Sequence, residues 1–160
     1  TNGATATYVA GYAACWIAFA APAALMQWTL THALLLDSMA RSTSTMLSAA
    51  ILLAAGVYQW LPQKSACLSK CRLPLAFFLA HWRDGRSGAF WLGLRHGGYC
   101  VGCCWALMAV MFVAGAMSLA WMGLIMLVVL SEKVIPASWR FDKALGAALI
   151  ATGLWMAAGM

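Results

Sequence analysis

FWLGLRHGGYCVGCCWALMAVMFVAGAMSLAWMGLIMLVVL, residues 90–130, is apolar almost throughout. A hydrocarbon core of about 30 Å is crossed by about 20 helical residues, so this run is too long for one ordinary span and right for two. Its weak point is Gly115-Ala116-Met117-Ser118. A tight reversal there predicts spans over about 90–114 and 118–134. The rest of the chain has the same character: 64% hydrophobic, 9% charged, with nine tryptophans in 160 residues, far from the makeup of a soluble domain. The apolar stretches are too many and too dispersed for a signal peptide, and the start lacks a basic n-region. The composition predicts an all-α polytopic membrane helix bundle, a single integral membrane domain over residues 1–160.

Toward the N-terminus, residues 8–35 read as a first span, kinked at Pro22 and polar at its far end through Gln27, Thr29, Thr31 and His32. Asp37 to Arg41 closes it as a short connection. Ser42 to Ser44 offer N-cap oxygens to a second span over about 45–61, which Pro62 stops. Toward the C-terminus, Glu132 and Lys133 mark the polar end of the fourth span, Pro136 breaks it, and a fifth covers about 144–160. About five transmembrane helices are expected. Residues 62–89 form the longest polar segment, a cysteine-bearing loop. Within it Leu75 to Trp82 is too short to cross a bilayer and reads as an interfacial helix beginning after Pro74. The missing initiator Met, and a last span that barely reaches across the core, lead us to expect that the native chain continues beyond these residues.

The net charge of +6 does not point to nucleic acid, because the basic residues lie between apolar spans and not on a basic face of their own. Lys64, Lys70, Arg72, Arg83, Arg86, Arg95, Lys133, Arg140 and Lys143 fall on one side of the expected topology, and only Arg41 on the other. The positive-inside rule makes the first side cytoplasmic, where thiols stay reduced.

Five of the six cysteines lie on that side. Cys67 and Cys71 share a face if residues 64–72 are helical. On the third span His96, Cys100 and Cys103 fall within roughly a 60° arc, with Cys104 about 40° beyond. Folded onto this stripe, the loop pair would complete a tetrahedral shell of thiolates, or of three thiolates and an imidazole, chosen from Cys67, Cys71, His96, Cys100, Cys103 and Cys104. Cu(I) and Zn both suit such ligands. Cys15 reads as a small apolar filler. Met108, Met111, Met122 and Met126 continue the sulfur spacing into the bilayer but read as packing, and His32 with Asp37 as a polar helix end. The small-residue pairs Gly93/Gly97 and Gly98/Gly102 predict close helix approach.

The segments around Lys64-Ser-Ala-Cys67-Leu-Ser-Lys-Cys71-Arg-Leu-Pro74, Arg95-His96-Gly-Gly-Tyr-Cys100-Val-Gly-Cys103-Cys104-Trp105 and Ser131-Glu132-Lys133-Val-Ile-Pro136 resemble the bacterial predicted metal-binding integral membrane proteins, a family defined largely as a domain of unknown function. The resemblance covers about residues 53–155. It implies a bacterial inner-membrane protein with a metal site, and it carries over Cys67, Cys71, His96, Cys100, Cys103, Cys104 and Glu132.

The sequence holds no carboxylate pair, no nucleophile with a base and no phosphate loop, so the leading expectation is not an enzyme. It is a membrane protein that holds Cu(I), or Zn, for delivery or for assembly of a membrane metalloenzyme, with membrane lipid and a membrane-protein partner around it. Two alternatives stand beside it. One is a thiol-disulfide oxidoreductase pairing Cys100/Cys103 with Cys67/Cys71. The other is a structural accessory subunit of a larger membrane complex.

Overall fold

A computed structural model of the chain describes residues 2–159; Thr1 and Met160, at the ends of the sequence reading, lie outside them. Among the described residues seven α-helices follow one another: α1 (Asn2–His32), α2 (Thr45–Trp60), α3 (Pro62–Arg72), α4 (Pro74–His81), α5 (Gly85–Ala114), α6 (Leu119–Val134) and α7 (Phe141–Ala158). A short 3₁₀ turn, Ala137–Trp139, precedes α7. No named strand occurs among the described residues. The fold is all-helical, as composition and periodicity predict.

The punctuation of the sequence sets most boundaries. Ser44 caps α2 by accepting the Leu47 N–H at 3.3 Å. The reversal after α5 falls on Gly115, whose φ of +105° lies in the region that favours glycine, and the Ser118 N–H closes the turn on the Gly115 carbonyl at 3.1 Å. Pro22 is carried inside α1 without ending it.

The short helix expected after Pro74 is present as α4. One expectation changes: the start of the cysteine-bearing segment is not a loop but a further helix, α3. Pro62 and Pro74 each sit in a first turn, where proline's fixed φ suits a helix start and its missing N–H costs nothing. By length and composition, three or four helices among the described residues qualify as spans. α1, α5 and α7 are long and apolar enough to cross a membrane, and a fourth span exists if α2 and α3, bent by 68°, act as one. α2 and α6 have 16 residues each, about 24 Å of helix against a core of about 30 Å.

α5 is the axis of the bundle, touching α1, α2, α3 and α6, while α7 lies along α2. The α1–α5 crossing brings backbone onto backbone. A Cβ at Gly93 would collide with the Tyr8 carbonyl, and one at Gly11 with the Phe90 carbonyl. Gly93 and Gly97 therefore act as the small-residue pair read from the sequence, whereas Gly98 faces open space. Leu52 and Ala55 of α2 pack with Ala106 and Val110 of α5 in one core cluster. At the end of the bundle where α5 turns into α6, the α1–α2 connection meets the reversal: the Ser42 N–H donates to the Phe112 carbonyl at 2.7 Å and the Met117 N–H to the Met39 carbonyl at 3.2 Å. The cysteine-bearing α3 belongs to the other end. Many large apolar side chains face outward, Leu119 at 85% and Trp155 at 77% exposure among them.

Candidate functional site

α3 is short and polar, and two residues anchor it. Lys64 in its first turn and Glu132 near the end of α6 form an ion pair at 2.7 Å with side chains 1% and 2% exposed. The Gln59 amide donates to the same carboxylate at 3.0 Å. At the other end of α3, Arg72 Nε donates to the Glu132 carbonyl at 2.8 Å. A buried charge persists only when it is paired and hydrogen-bonded, so these contacts fix where α3 lies. Both carboxylate oxygens of Glu132 are taken. Glu132, carried over by the resemblance as a site residue, is thus an anchor with no oxygen turned to the sulfurs.

With α3 so placed, its cysteine face rests on α5. Leu68, Cys103 and Cys104 form a buried cluster against which Cys67, Cys71, Met108, Trp16 and Val129 pack. The Cys71 and Cys103 sulfurs are 3.8 Å apart. Cys103 and Cys104 donate to the Cys100 carbonyl at 3.1 and 3.0 Å. Cys67 lies over Gly102, where an added Cβ would stand 3.0 Å from its sulfur. All six cysteines are free thiols.

Two residues that the sequence did not single out reach this group. The Lys133 ammonium donates to Cys100 Sγ at 3.1 Å and the Tyr12 hydroxyl donates to it at 3.2 Å. Cys100 Sγ thus accepts from an ammonium and a phenol at once. In the sequence Lys133 reads only as a polar helix end, and nothing local announces that Tyr12 crosses to α5. His96 takes a different environment from its cysteine neighbours. Its Nδ1 shares a 2.7 Å hydrogen bond with the Tyr8 hydroxyl, and the rings of Tyr12, Phe77 and Phe78 surround it with centroids 5.9, 5.3 and 5.9 Å away. His32 meets Trp28 edge to face with ring centroids 4.5 Å apart, and Asp37 Oδ1 accepts the Met39 and Arg41 N–H groups, so the two are spent locally. Met108 packs against the thiols, while Met122 and Met126 point outward.

Among the described residues, no three histidine, cysteine or carboxylate side chains are drawn around one point closely enough to hold an ion. The Cys71–Cys103 separation of 3.8 Å suits one ion, since two sulfurs bound tetrahedrally at the zinc–thiolate distance of about 2.3 Å stand about 3.8 Å apart. Cys104 Sγ donates instead to the Cys100 carbonyl.

Fold and site together define a helical protein that holds free, buried thiols suited to a soft metal ion. The chain matches the model of a family described as PpoB2, copper chaperone, over residues 1–156, and it belongs to that copper chaperone family. No curated protein and no solved structure matches it. The family match reaches further than the resemblance read from residues 53–155, taking in all of α1, and it selects copper from the metals the sequence left open.

Proposed function

We propose that this protein is an integral membrane Cu(I) chaperone, not an enzyme, which takes copper as cargo on Cys71 and Cys103 and releases it to a membrane metalloenzyme. Cys100 and Cys104 supply the third sulfur as the ion enters or leaves, and Cys67 stands at the edge of the group. The observation that carries this reading is the 3.8 Å Cys71–Cys103 pair, bridging two helices. Thiolates suit Cu(I) better than harder ions, and a shell left incomplete in sulfur lets cargo leave by ligand exchange. The membrane part of the reading is supported by the long apolar helices and the apolar exterior. A bacterial inner-membrane location with the thiols facing the cytoplasm is supported by nine of the ten basic residues falling on one side of the expected topology.

The same pair supports a second reading. Sulfurs 3.8 Å apart need to close only to about 2.05 Å to form a disulfide, as a thiol oxidoreductase would require. Metal content of the detergent-purified, reduced protein, measured beside a Cys71→Ser/Cys103→Ser variant, separates the two. Roughly one copper per chain, lost in the variant, is the expected result. Zinc in its place would overturn the copper assignment, and a metal-free protein with a Cys71–Cys103 disulfide would replace the chaperone with the oxidoreductase.

A further inference from the structure

On the side of α3 roughly opposite its cysteines, a cavity of about 260 Å³ opens between that helix and the first turn of α7. Ser65, Ser69 and Arg72 line it from α3, and Arg140, Asp142 and Lys143 from α7. Positions 65, 69 and 72 follow the three-or-four spacing that puts them on one face.

Three features of this cleft point to the same chemistry. Its charge is unbalanced: three cations face one carboxylate, and that carboxylate, Asp142, already has Lys143 at 3.6 Å. Lys143 is further committed to the Gln59 carbonyl at 2.8 Å, which leaves Arg72 and Arg140 as the charges in excess. Arg72 also holds an unspent donor. Its Nε is bonded to Glu132, but its Nη2 is buried without a hydrogen-bond partner among the described residues, an arrangement that native interiors rarely tolerate. The third feature is the start of α7. Arg140 occupies its N-cap with φ +46°, ψ +36°, and no side chain caps the helix. A non-glycine residue in the left-handed region is uncommon, and such strain tends to collect at functional positions. The start of this 18-residue helix, where no side chain caps the first N–H groups, adds a positive end to the cleft, offset in part by Asp142 in its first turn.

We propose that the cleft between α3 and the start of α7 binds a phosphate group, held by Arg72 and Arg140 over the N-terminus of α7. Planar guanidinium forks match phosphate oxygens in pairs. The Ser65 hydroxyl stands beside them, and Asp142 is kept from repelling the ligand by Lys143. The phosphate group comes from an anionic phospholipid headgroup or from free phosphate. The lipid source rests on the membrane reading above, since basic clefts at the cytoplasmic ends of membrane helices are where such headgroups seat. Because the cleft and the thiols occupy two sides of one short helix, an occupied cleft would steady α3 where Cys71 meets Cys103.

The test is thermal unfolding of the full chain in neutral detergent, titrated with dihexanoyl-phosphatidylglycerol, dihexanoyl-phosphatidylcholine or inorganic phosphate. Wild type, Arg72→Gln and Arg140→Gln are compared. Arg140 is exposed, so Arg140→Gln keeps the test open if Arg72→Gln fails to fold. Saturable stabilisation by phosphatidylglycerol and not by phosphatidylcholine, with the half-point moved about tenfold in each folded variant, is expected. The same behaviour with inorganic phosphate, at equal or lower concentration, would confirm the site and assign it to free phosphate. Stabilisation equal for both lipids, unmoved by the variants, or absent with every probe would overturn the proposal. Carbonate extraction of expressing cells tests the membrane reading separately, because the inorganic phosphate titration reads the cleft even if the chain washes out of the membrane.

Discussion

Two buried polar groups lie side by side where α3, α5 and α6 meet, and they are bonded differently. In the first, Lys64, Gln59 and Glu132 lock together through charged hydrogen bonds of 2.7 to 3.0 Å. In the second, Cys71, Cys100, Cys103 and Cys104 touch through long or weak sulfur contacts, the shortest S–H bonds going to the Cys100 carbonyl. The first group spends both carboxylate oxygens of Glu132 on the fold. In the second, Cys100 Sγ accepts from Lys133 and Tyr12, while Cys103 and Cys104 make only weak thiol bonds and keep the sulfur lone pairs a soft cation uses. Strongly bonded charges thus fix the positions of α3 and α6, and the position of α3 determines how far apart Cys71 and Cys103 stand.

The comparison breaks most visibly if the ion pair is cut on one side. Glu132→Ala leaves Lys64 charged, buried and unpaired, and unfolding in detergent should show a loss of about 3–5 kcal/mol, whereas Lys64→Met/Glu132→Leu, which removes both charges, should lose far less. An equal loss in both would mean that charge is not what anchors α3. Next in size is the sulfur group itself. Cys71→Ser should leave the unfolding midpoint within a few degrees of wild type while lowering Cu(I) affinity about 100-fold or more, read by competition with a chromophoric Cu(I) chelator, because a hydroxyl is a poor ligand for a soft ion. If that substitution costs stability and spares affinity, the roles of the two groups are exchanged.

Lys133→Met sharpens the boundary between them, since Lys133 follows Glu132 in sequence yet donates to Cys100. It should weaken Cu(I) binding about 10–100-fold, the range for partners that tune a ligand without being one, with little change in fold. The smallest effect belongs to His96→Gln. With Nδ1 held by Tyr8 and the ring packed among aromatics, its loss should lower Cu(I) affinity less than about threefold while costing about 1 kcal/mol of stability through the lost hydrogen bond. A large fall in affinity there would return His96 to the ligand set.

How far the sequence revealed these groups follows from how local each signal is. The reversal at Gly115, the Ser44 cap and the end of α6 near Val134 are legible because glycine, serine and proline act on their own few residues. α3 was not, although Pro62 and Pro74 mark its ends. Its helix carries little apolar periodicity, being held by ion pairing and by packing of Leu68 and the cysteines, so composition alone makes it look like a loop. Cys67 and Cys71 could be assigned to one face by spacing, yet nothing local says that Cys71 rather than Cys67 meets Cys103. Lys64 and Glu132 pair across 68 positions, and Tyr12 reaches Cys100 across 88. Each reads as an ordinary polar or interfacial residue until the helices are assembled. Glu132 illustrates the limit: an acid at a membrane helix end signals either function or pairing, and only its partners decide.

Whether sulfur at the α3–α5 contact holds the copper is decided by X-ray absorption of the reduced protein loaded with one Cu(I) per chain, beside Cys71→Ser/Cys103→Ser. We predict copper in the Cu(I) state with two or three sulfur neighbours, no imidazole scattering, and no bound copper in the variant. Copper retained by the variant, or imidazole in the first coordination sphere of the wild type, would contradict it.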